Sequence, residues 1–573
     1  MKGKLPKILG ALVVVLAVAV IAVPGLLDQV VNRGKDLLRG GDLDPATAQA
    51  RLADMVTEVQ WREDFVTGVS TTAAPVEDLA ATLPDIDTFP LVVDPGRKGP
   101  GIAEIFVSTE KSGKGDDAWM AEAALAFNQS GIRLSNGSTA QVAIRSIASG
   151  TGYQFIASGV YRPDAYSPSN VLWIEMARER GGAMPILADR TARNLAGIVM
   201  KEDVAAELEA AGQLDVPGIV DAVVQGRLTV GYSDPFASST GLNFLISVLT
   251  RFSGGDPSAL LSPEAVSAFE SFQARVPFIA LTTLQMRESV RRDGSLDAFV
   301  MEWQTFAKVD ELRSGYRFIP FGWPHDNPLA AVGEPDALTV ETLEAFAAFL
   351  TGAEQQSVAE RFGFAPPMQH TSPGPLPDGA RLVRAQKTWK SRKNAARPIA
   401  AMFVADVSGS MAGSRIAQLR TALREGASFI LPENAIGLVT FSSDVTLRVP
   451  IKPFTSLHNA TFQTAVERMS AGGNTAMYDA IAIALQQLLA YQASTPDVQP
   501  MVFVLTDGET NRGLDYSSLA STLKGLAIPI YTIGFEADVA ELDRLSSTVE
   551  AASIRANEQN VRYQIGRMFN SQM

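Results

Sequence analysis

Pro398-Ile399-Ala400-Ala401-Met402-Phe403-Val404-Ala405 runs without a charge into Asp406-Val407-Ser408-Gly409-Ser410-Met411. An unbroken apolar run of this length is what a central parallel strand, covered on both faces, requires. The polar hexapeptide behind it reads as the turn at the strand's carboxyl end, and residues 415–429 follow as an amphipathic helix. Residues 435–441 are a second buried strand. Gly472-Gly473-Asn474-Thr475 stands just before a helix over 476–490. A third strand, 500–505, ends in Thr506-Asp507-Gly508, a fourth spans 528–534, and residues 558–569 close the chain as a helix. This alternation predicts an α/β domain over residues 398–573 with a doubly wound parallel sheet, loops from three strands meeting at one edge.

Five side chains on those loops share one chemistry. Asp406 and Asp507 are carboxylates; Ser408, Ser410 and Thr475 are hydroxyls; all are hard oxygen donors. Such a set suits a small divalent cation that takes about six oxygens near 2.1 Å and often keeps waters. The Asp-x-Ser-x-Ser spacing puts three of them on one tight loop, where Gly409 permits the turn. Simple capping and turn formation by the two aspartates is the plainer alternative.

In this order and at strand ends, Asp406-x-Ser408-x-Ser410, Thr475 after a Gly-Gly turn, and Asp507-Gly508 resemble the von Willebrand factor A domain and its metal-ion-dependent adhesion site. The resemblance spans residues 398–573 and implies a Rossmann-like fold. It implies Mg²⁺ (or Mn²⁺/Ca²⁺) held by the hydroxyls of Ser408, Ser410 and Thr475. Asp406 and Asp507 would hold the ion directly or through water, with the last position left for a carboxylate from a protein partner. Hydrolysis would need a general base within reach of a bound water. Asp444, Asp479 and Glu509 lie near the loops in sequence but read as helix-end or surface charges. No Gly-x-Ser-x-Gly, Walker loop or His-Glu-x-x-His occurs, so no enzyme is expected.

Upstream, residues 101–367 also alternate short β-rich runs with helices. A strand over 102–107 ends in Ser108-Thr109, before a helix at 119–127. Another over 141–147 leads into Ser149-Gly150-Thr151. A third over 228–232 is followed by Ser233-Asp234-Pro235 and by Ser238-Ser239-Thr240-Gly241, which opens a helix over 242–252. Ligands of open α/β sheets gather at carboxyl strand ends, where helix N-termini offer free N–H groups. Ser108, Thr109, Ser149, Thr151, Ser238, Ser239 and Thr240 are therefore candidate ligand residues, with ordinary N-capping as the alternative. The segment resembles the type II periplasmic (extracellular) solute-binding proteins, near the branch that serves molybdate-like oxyanions. Ser108-Thr109-Glu110-Lys111 and the Ser233 and Ser238 clusters carry the likeness, with weaker support from Gly294-Ser295-Leu296-Asp297-Ala298 and Arg361-Phe362-Gly363-Phe364. It implies two α/β lobes closing about a hinge on a small molecule or anion.

Two connecting stretches complete the organisation. Residues 368–397, rich in proline and carrying Arg381, Arg384, Lys387, Lys390, Arg392, Lys393 and Arg397, read as a solvated basic linker. At the other end, Lys2, Lys4 and Lys7 precede an apolar run over 8–27. As a helix that run spans about 30 Å, the thickness of a bilayer core. Residues 1–30 are thus expected to be a transmembrane signal anchor, lysines inside, with 31–100 a stalk or linker and the bulk extracytoplasmic. A cleaved signal peptide is the rival reading.

The 573 residues are 46% hydrophobic and 19% charged, a globular composition. A net charge of −13 argues against nucleic acid as a partner. With no cysteine, disulfides and thiolate chemistry are excluded, and His325, His370 and His458 are too far apart in sequence for a helical metal pair. The expected function is a membrane-anchored extracytoplasmic binding protein that grips a protein partner through a divalent metal and has a second, solute-binding-like module. The alternative is a receptor for a solute such as an oxyanion, serving a transport or sensing system, whose A-type domain signals to a membrane partner.

Overall fold

The computed structural model describes residues 43–66, 78–97, 99–276, 278–280, 286, 296–394, 397–536, 540–549 and 551–573. The expected anchor over 8–27 and Gly294-Ser295 lie outside them. Among the described residues no helix is long and apolar enough to cross a membrane.

Ile399–Asp406 is the central strand of a seven-stranded sheet, and all eight of its residues are buried. Its side chains alternate between two cores. Ile399, Ala401, Phe403 and Ala405 face one, and Ala400, Met402 and Val404 face the other. The first core is closed by the helix Val561–Gln572, whose Phe569 ring lies 4.9 Å from Phe403 and 5.4 Å from Phe503. The helix Met477–Ser494 covers the second with Ile481, Leu485 and Leu488. Burying each large apolar side chain contributes about 1.5–3 kcal/mol, so a strand covered on both faces anchors the domain. Parallel neighbours Ala435–Phe441 and Gln499–Thr506 flank it, and Ile530–Phe535 and Ser553–Ala556 extend the sheet on one side. On the other side Val445–Pro453 runs antiparallel, an element absent from the sequence reading.

The sheet's last strand comes from the opposite end of the chain. Trp61–Glu63 pairs parallel with Val445–Leu447, inside the stretch expected to be stalk. The helix before it, Pro45–Val56, is capped by Asp44, which accepts hydrogen bonds from Ala46 and Thr47 N–H. It buries Ala48, Leu52 and Val56, spaced four apart along one face. Gly525 lets it approach: a Cβ there would stand 2.7 Å from Ala48 Cβ and from the Leu43 carbonyl. Residues 43–63 are therefore part of the C-terminal domain and not a free stalk.

The middle region has two lobes. A six-stranded sheet in the order 91–93, 141–146, 102–107, 165–167, 329–331, 186–188 makes the first. A five-stranded sheet in the order 316–321, 196–201, 298–302, 230–233, 278–280 makes the second. The chain crosses between them after Ile186–Ala188 and again after Tyr316–Phe321. The two crossovers are bonded to each other, His325 N–H donating to the Asn194 carbonyl at 3.0 Å.

The expected linker at 368–397 is corrected in part. It contains the helix Gly379–Arg392, which buries Leu382, Ala385, Gln386 and Trp389 at i, i+3, i+4 and i+7. Trp389 Nε1 donates to Tyr232 Oη at 2.6 Å and Gln386 Nε2 to the Pro235 carbonyl at 2.7 Å, binding the helix to the second lobe. Basic residues dominate the composition, so the apolar stripe between them goes unnoticed in a reading by charge.

Candidate functional site

At the carboxyl edge of the seven-stranded sheet, the Asp406 side chain is fully buried and held by two donors. Ser408 N–H donates to Oδ1 at 2.7 Å and the Thr506 hydroxyl to Oδ2 at 2.5 Å. Ser408 Oγ and Ser410 Oγ are 3.0 Å apart, and Ser410 Oγ donates to Asp507 Oδ1 at 2.7 Å. Four of the five expected residues thus form one hydrogen-bonded set. Thr475 is brought to the same edge by its loop: Gly409 N–H donates to the Gly473 carbonyl at 3.0 Å, and Gly472 N–H to the Val407 carbonyl at 2.8 Å. Its backbone is fixed from the third strand's loop by Asn511, whose side chain accepts from Thr475 N–H at 2.9 Å.

Burial pushes the Asp406 carboxyl up from its ordinary value, and the Asp507 charge adds to the rise, against the Thr506 and Ser408 hydrogen bonds. Two carboxylates in electrostatic contact, both side chains enclosed, call for a cation. Within the protein that cation is Arg415. Its Nη1 stands 2.9 Å from Asp507 Oδ2 and its Nη2 3.0 Å from Glu536 Oε2. Thr506, Asn511, Arg415 and Glu536 were not singled out from sequence; of these only Thr506, next to Asp507, had a signal at hand. Among the described residues no three acidic or histidine side chains gather as a metal site, so the donors offered here are two carboxylates and three hydroxyls.

Of the seven candidate residues of the middle region, Ser108, Ser149 and Ser239 are drawn together by residues 169–173 rather than by one another. Ser108 Oγ is 3.2 Å from Ser169 Oγ, and Ser169 N–H reaches Ser149 Oγ at 3.4 Å. Asn170 Nδ2 donates to the Ser239 carbonyl at 3.2 Å and Trp173 Nε1 to Ser239 Oγ at 3.0 Å. Ser238 Oγ accepts from Ser233 Oγ at 2.8 Å and from Gly241 N–H at 3.3 Å, the latter a helix cap. Thr109 Oγ1 donates to its neighbour Glu110 at 3.2 Å, and Thr240 is fully buried. Thr151 Oγ1 lies 2.9 Å from the hydroxyl of Tyr563, on the C-terminal domain's last helix. The lobes touch directly here: Gly150 N–H donates to the Ala237 carbonyl at 3.0 Å, and a Cβ on Gly150 would fall 2.0 Å from the Phe236 carbonyl oxygen. The loop at residues 168–170, which stitches the three clusters together, follows the three-residue strand Ala165–Ser167, too short to read from sequence.

Beside that loop lies a buried charged group. Lys111 Nζ donates to Ser167 Oγ, the Pro168 carbonyl and Asn327 Oδ1 at 2.9, 3.0 and 3.1 Å. Burial pulls it down to about 7. Glu110, pushed up to about 7 by burial and by the Glu302 charge, is its neighbour. Glu302 in turn stands 2.9 Å from His325 Nδ1 and accepts from Asn194 Nδ2 at 2.8 Å.

The family model for the von Willebrand factor type A domain matches residues 402–564, and that for the bacterial extracellular solute-binding proteins matches 113–365. The chain joins an A domain to a solute-binding-like domain. The chain is 28% identical over 147 residues to inter-alpha-trypsin inhibitor heavy chain H1 of Mesocricetus auratus, covering 24% of this chain and 16% of that one. Heavy chain H4 of Bos taurus is 31% identical over 121 residues, 20% and 13% of the two chains. The chain thus spans under a fifth of the curated relatives it matches. Among solved structures, a von Willebrand factor type A protein from Catenulispora acidiphila is 16% identical with a TM-score of 0.28, covering 31% of this chain and 42% of that one. A sulfate-binding protein from Mycobacterium tuberculosis is 15% identical with a TM-score of 0.32, covering 46% and 87%.

Proposed function

We propose that this chain is an extracytoplasmic binding protein, anchored through residues 8–27, whose A domain captures a protein partner through a divalent metal. Asp406, Ser408, Ser410, Thr475 and Asp507 would hold the ion, Mg²⁺ or else Mn²⁺ or Ca²⁺. The observation that carries the reading is Ser410, whose hydroxyl bridges Ser408 Oγ and the buried Asp507 carboxylate. The same oxygens suit a hard cation, since serine hydroxyls can donate to a carboxylate while a lone pair faces the metal. When bound, the ion supplies Lewis acidity toward an anionic oxygen. The chain's own residues orient the donors: Thr506 and Ser408 N–H fix Asp406, and Ser410 fixes Asp507. Two carboxylates against a doubly charged ion leave a site that favours a partner's Asp or Glu. No side chain takes a catalytic role in this reading.

The solute-receptor alternative draws on Lys111 and the Ser/Thr clusters at the lobe junction. It is the weaker of the two, because Ser238, Ser239 and Thr151 already have partners within the protein.

A melting scan of the full chain with added MgCl₂ tests the metal reading. At an ion concentration a hundred times Kd, stability rises by about 2.7 kcal/mol. EDTA reverses the rise, and Asp406→Asn abolishes it. A wild-type chain whose melting ignores both Mg²⁺ and Mn²⁺ sinks the reading.

A further inference from the structure

Arg415 is placed where a metal-binding site would not be expected to keep a cation. Asp507 has two oxygens and no exposure to solvent; Ser410 takes Oδ1 and Arg415 Nη1 takes Oδ2 at 2.9 Å. The same nitrogen is 3.3 Å from the Ser410 carbonyl, so the guanidinium leans on two of the five residues assigned to the metal. A guanidinium cannot give up its proton, so it remains a full charge beside any ion that arrives. Its other nitrogen, Nη2, is held at the same time by Glu536 at 3.0 Å, a residue that leaves the strand Ile530–Phe535 with φ of +54°, a left-handed conformation uncommon outside glycine. The side chains of Arg415 and Glu536 are each about a third exposed, at 32% and 37%, so the guanidinium has room to leave Asp507 while Glu536 still holds it.

We propose that Arg415 is a built-in cation that competes with the metal for Asp507, and that Glu536, which it holds at the same time, is the seat that keeps it when the metal takes Asp507. The inference rests on the metal reading above. With Arg415 drawn to Glu536, Asp507 is free to serve the ion. With Arg415 committed to Asp507, the ion meets a carboxylate already neutralised and a like charge within one hydrogen bond of it. Arg415 is therefore a positioning residue that acts through Asp507, and the pair sets how much metal the A domain needs before it fills.

Calorimetric titration of the full chain with MgCl₂, and separately MnCl₂, tests it by the sign of the change. Arg415→Gln is expected to bind either ion about tenfold more tightly than wild type. Arg415→Lys, which keeps the charge and loses the fork, stays within about threefold of wild type. Glu536→Gln removes that seat and weakens binding, while the double variant behaves as Arg415→Gln alone. An arginine that merely braced the loop would give the opposite sign. Unchanged or weaker binding in Arg415→Gln, or tighter binding in Glu536→Gln, overturns the inference while the wild-type titration keeps the metal reading intact. A wild type that takes neither ion overturns both. Near-ultraviolet circular dichroism of each variant confirms that the comparison is between folded chains.

Discussion

Tyr563, on the last helix of the A domain, stands with its hydroxyl 2.9 Å from Thr151 Oγ1 and 2.8 Å from Gln154 Oε1 in the first lobe. All three side chains are buried. The same helix reaches the second lobe, where Gln572 Nε2 donates to the Ile279 carbonyl at 3.0 Å, and the helix over 379–392, where Lys390 Nζ donates to the Phe569 carbonyl at 3.3 Å. A helix that closes the core of one domain thus also supplies polar contacts to the other. Replacing the hydroxyl strands two buried partners without compensation. Tyr563→Phe is expected to destabilise the chain by about 1–3 kcal/mol in urea unfolding. Stability within about 0.3 kcal/mol of wild type would show that the contact is not formed in solution.

Thr506 holds the buried Asp406 from a neighbouring strand, through a hydroxyl 2.5 Å from Oδ2. Valine has the same shape and no donor. Thr506→Val leaves a carboxylate oxygen enclosed and unpaired, at a cost of about 1.5–3 kcal/mol. The Mg²⁺ affinity of the full chain should fall about tenfold as well, because the carboxylate loses the bond that fixes its orientation. Calorimetry reads the second effect separately from the melting temperature. A loss of stability with unaltered Mg²⁺ affinity would remove Thr506 from the site and leave it a core contact.

What could be read in the chain, and what could not, follows from how local each signal is. The strand over 399–406 announces itself because both its faces are buried, so every residue is apolar. Asp406, Ser408 and Ser410 are equally plain, sharing one short loop. Trp61–Glu63 has three residues, two of them charged, and makes sense as a strand only beside Val445–Leu447, nearly four hundred positions away. The helix over 379–392 hides its stripe of Leu382, Ala385 and Trp389 among lysines and arginines. Arg415 reads as an ordinary helix-start charge until Asp507 and Glu536 are placed around it. The Ser/Thr clusters of the lobes are visible in sequence, but nothing local tells that Ser169, Trp173 and Tyr563 will take up their hydroxyls.

Leu52 tests the claim that the residues before the first lobe belong to the A domain. It is 1% exposed and packs within the core that includes Leu519 and Leu523 of the helix over 516–526. Leu52→Ala is expected to cost about 2–4 kcal/mol, by lost burial and the cavity left behind. Hydrogen exchange should quicken at the amides of the strand over 445–453 and of the helix over 516–526. A cost below about 0.5 kcal/mol, with exchange there unaltered, would mean that this helix only rests on the domain.

Glu110 and Lys111 give the lobe junction a pH signature whose sign can be worked out. Glu110 stands at about 7 in the folded chain against an ordinary 4.5, so between these values the folded state binds the extra proton. Its contribution to stability is therefore complete below about 4.5 and is lost as pH rises through about 7. Lys111 stands at about 7 against 10.5, and here the unfolded chain binds the extra proton. Its contribution is complete above about 10.5 and is lost as pH falls toward 7. The pair is at its least favourable near neutrality. Glu110→Gln keeps the shape of the protonated side chain and cannot ionise. It is expected to match wild type near pH 4.5 and to exceed it by on the order of 2 kcal/mol at pH 8. Urea unfolding of the two chains at pH 4.5, 6, 7 and 8 reads the gap. A difference that stays flat across that range would mean that Glu110 ionises in the folded chain as it does in water.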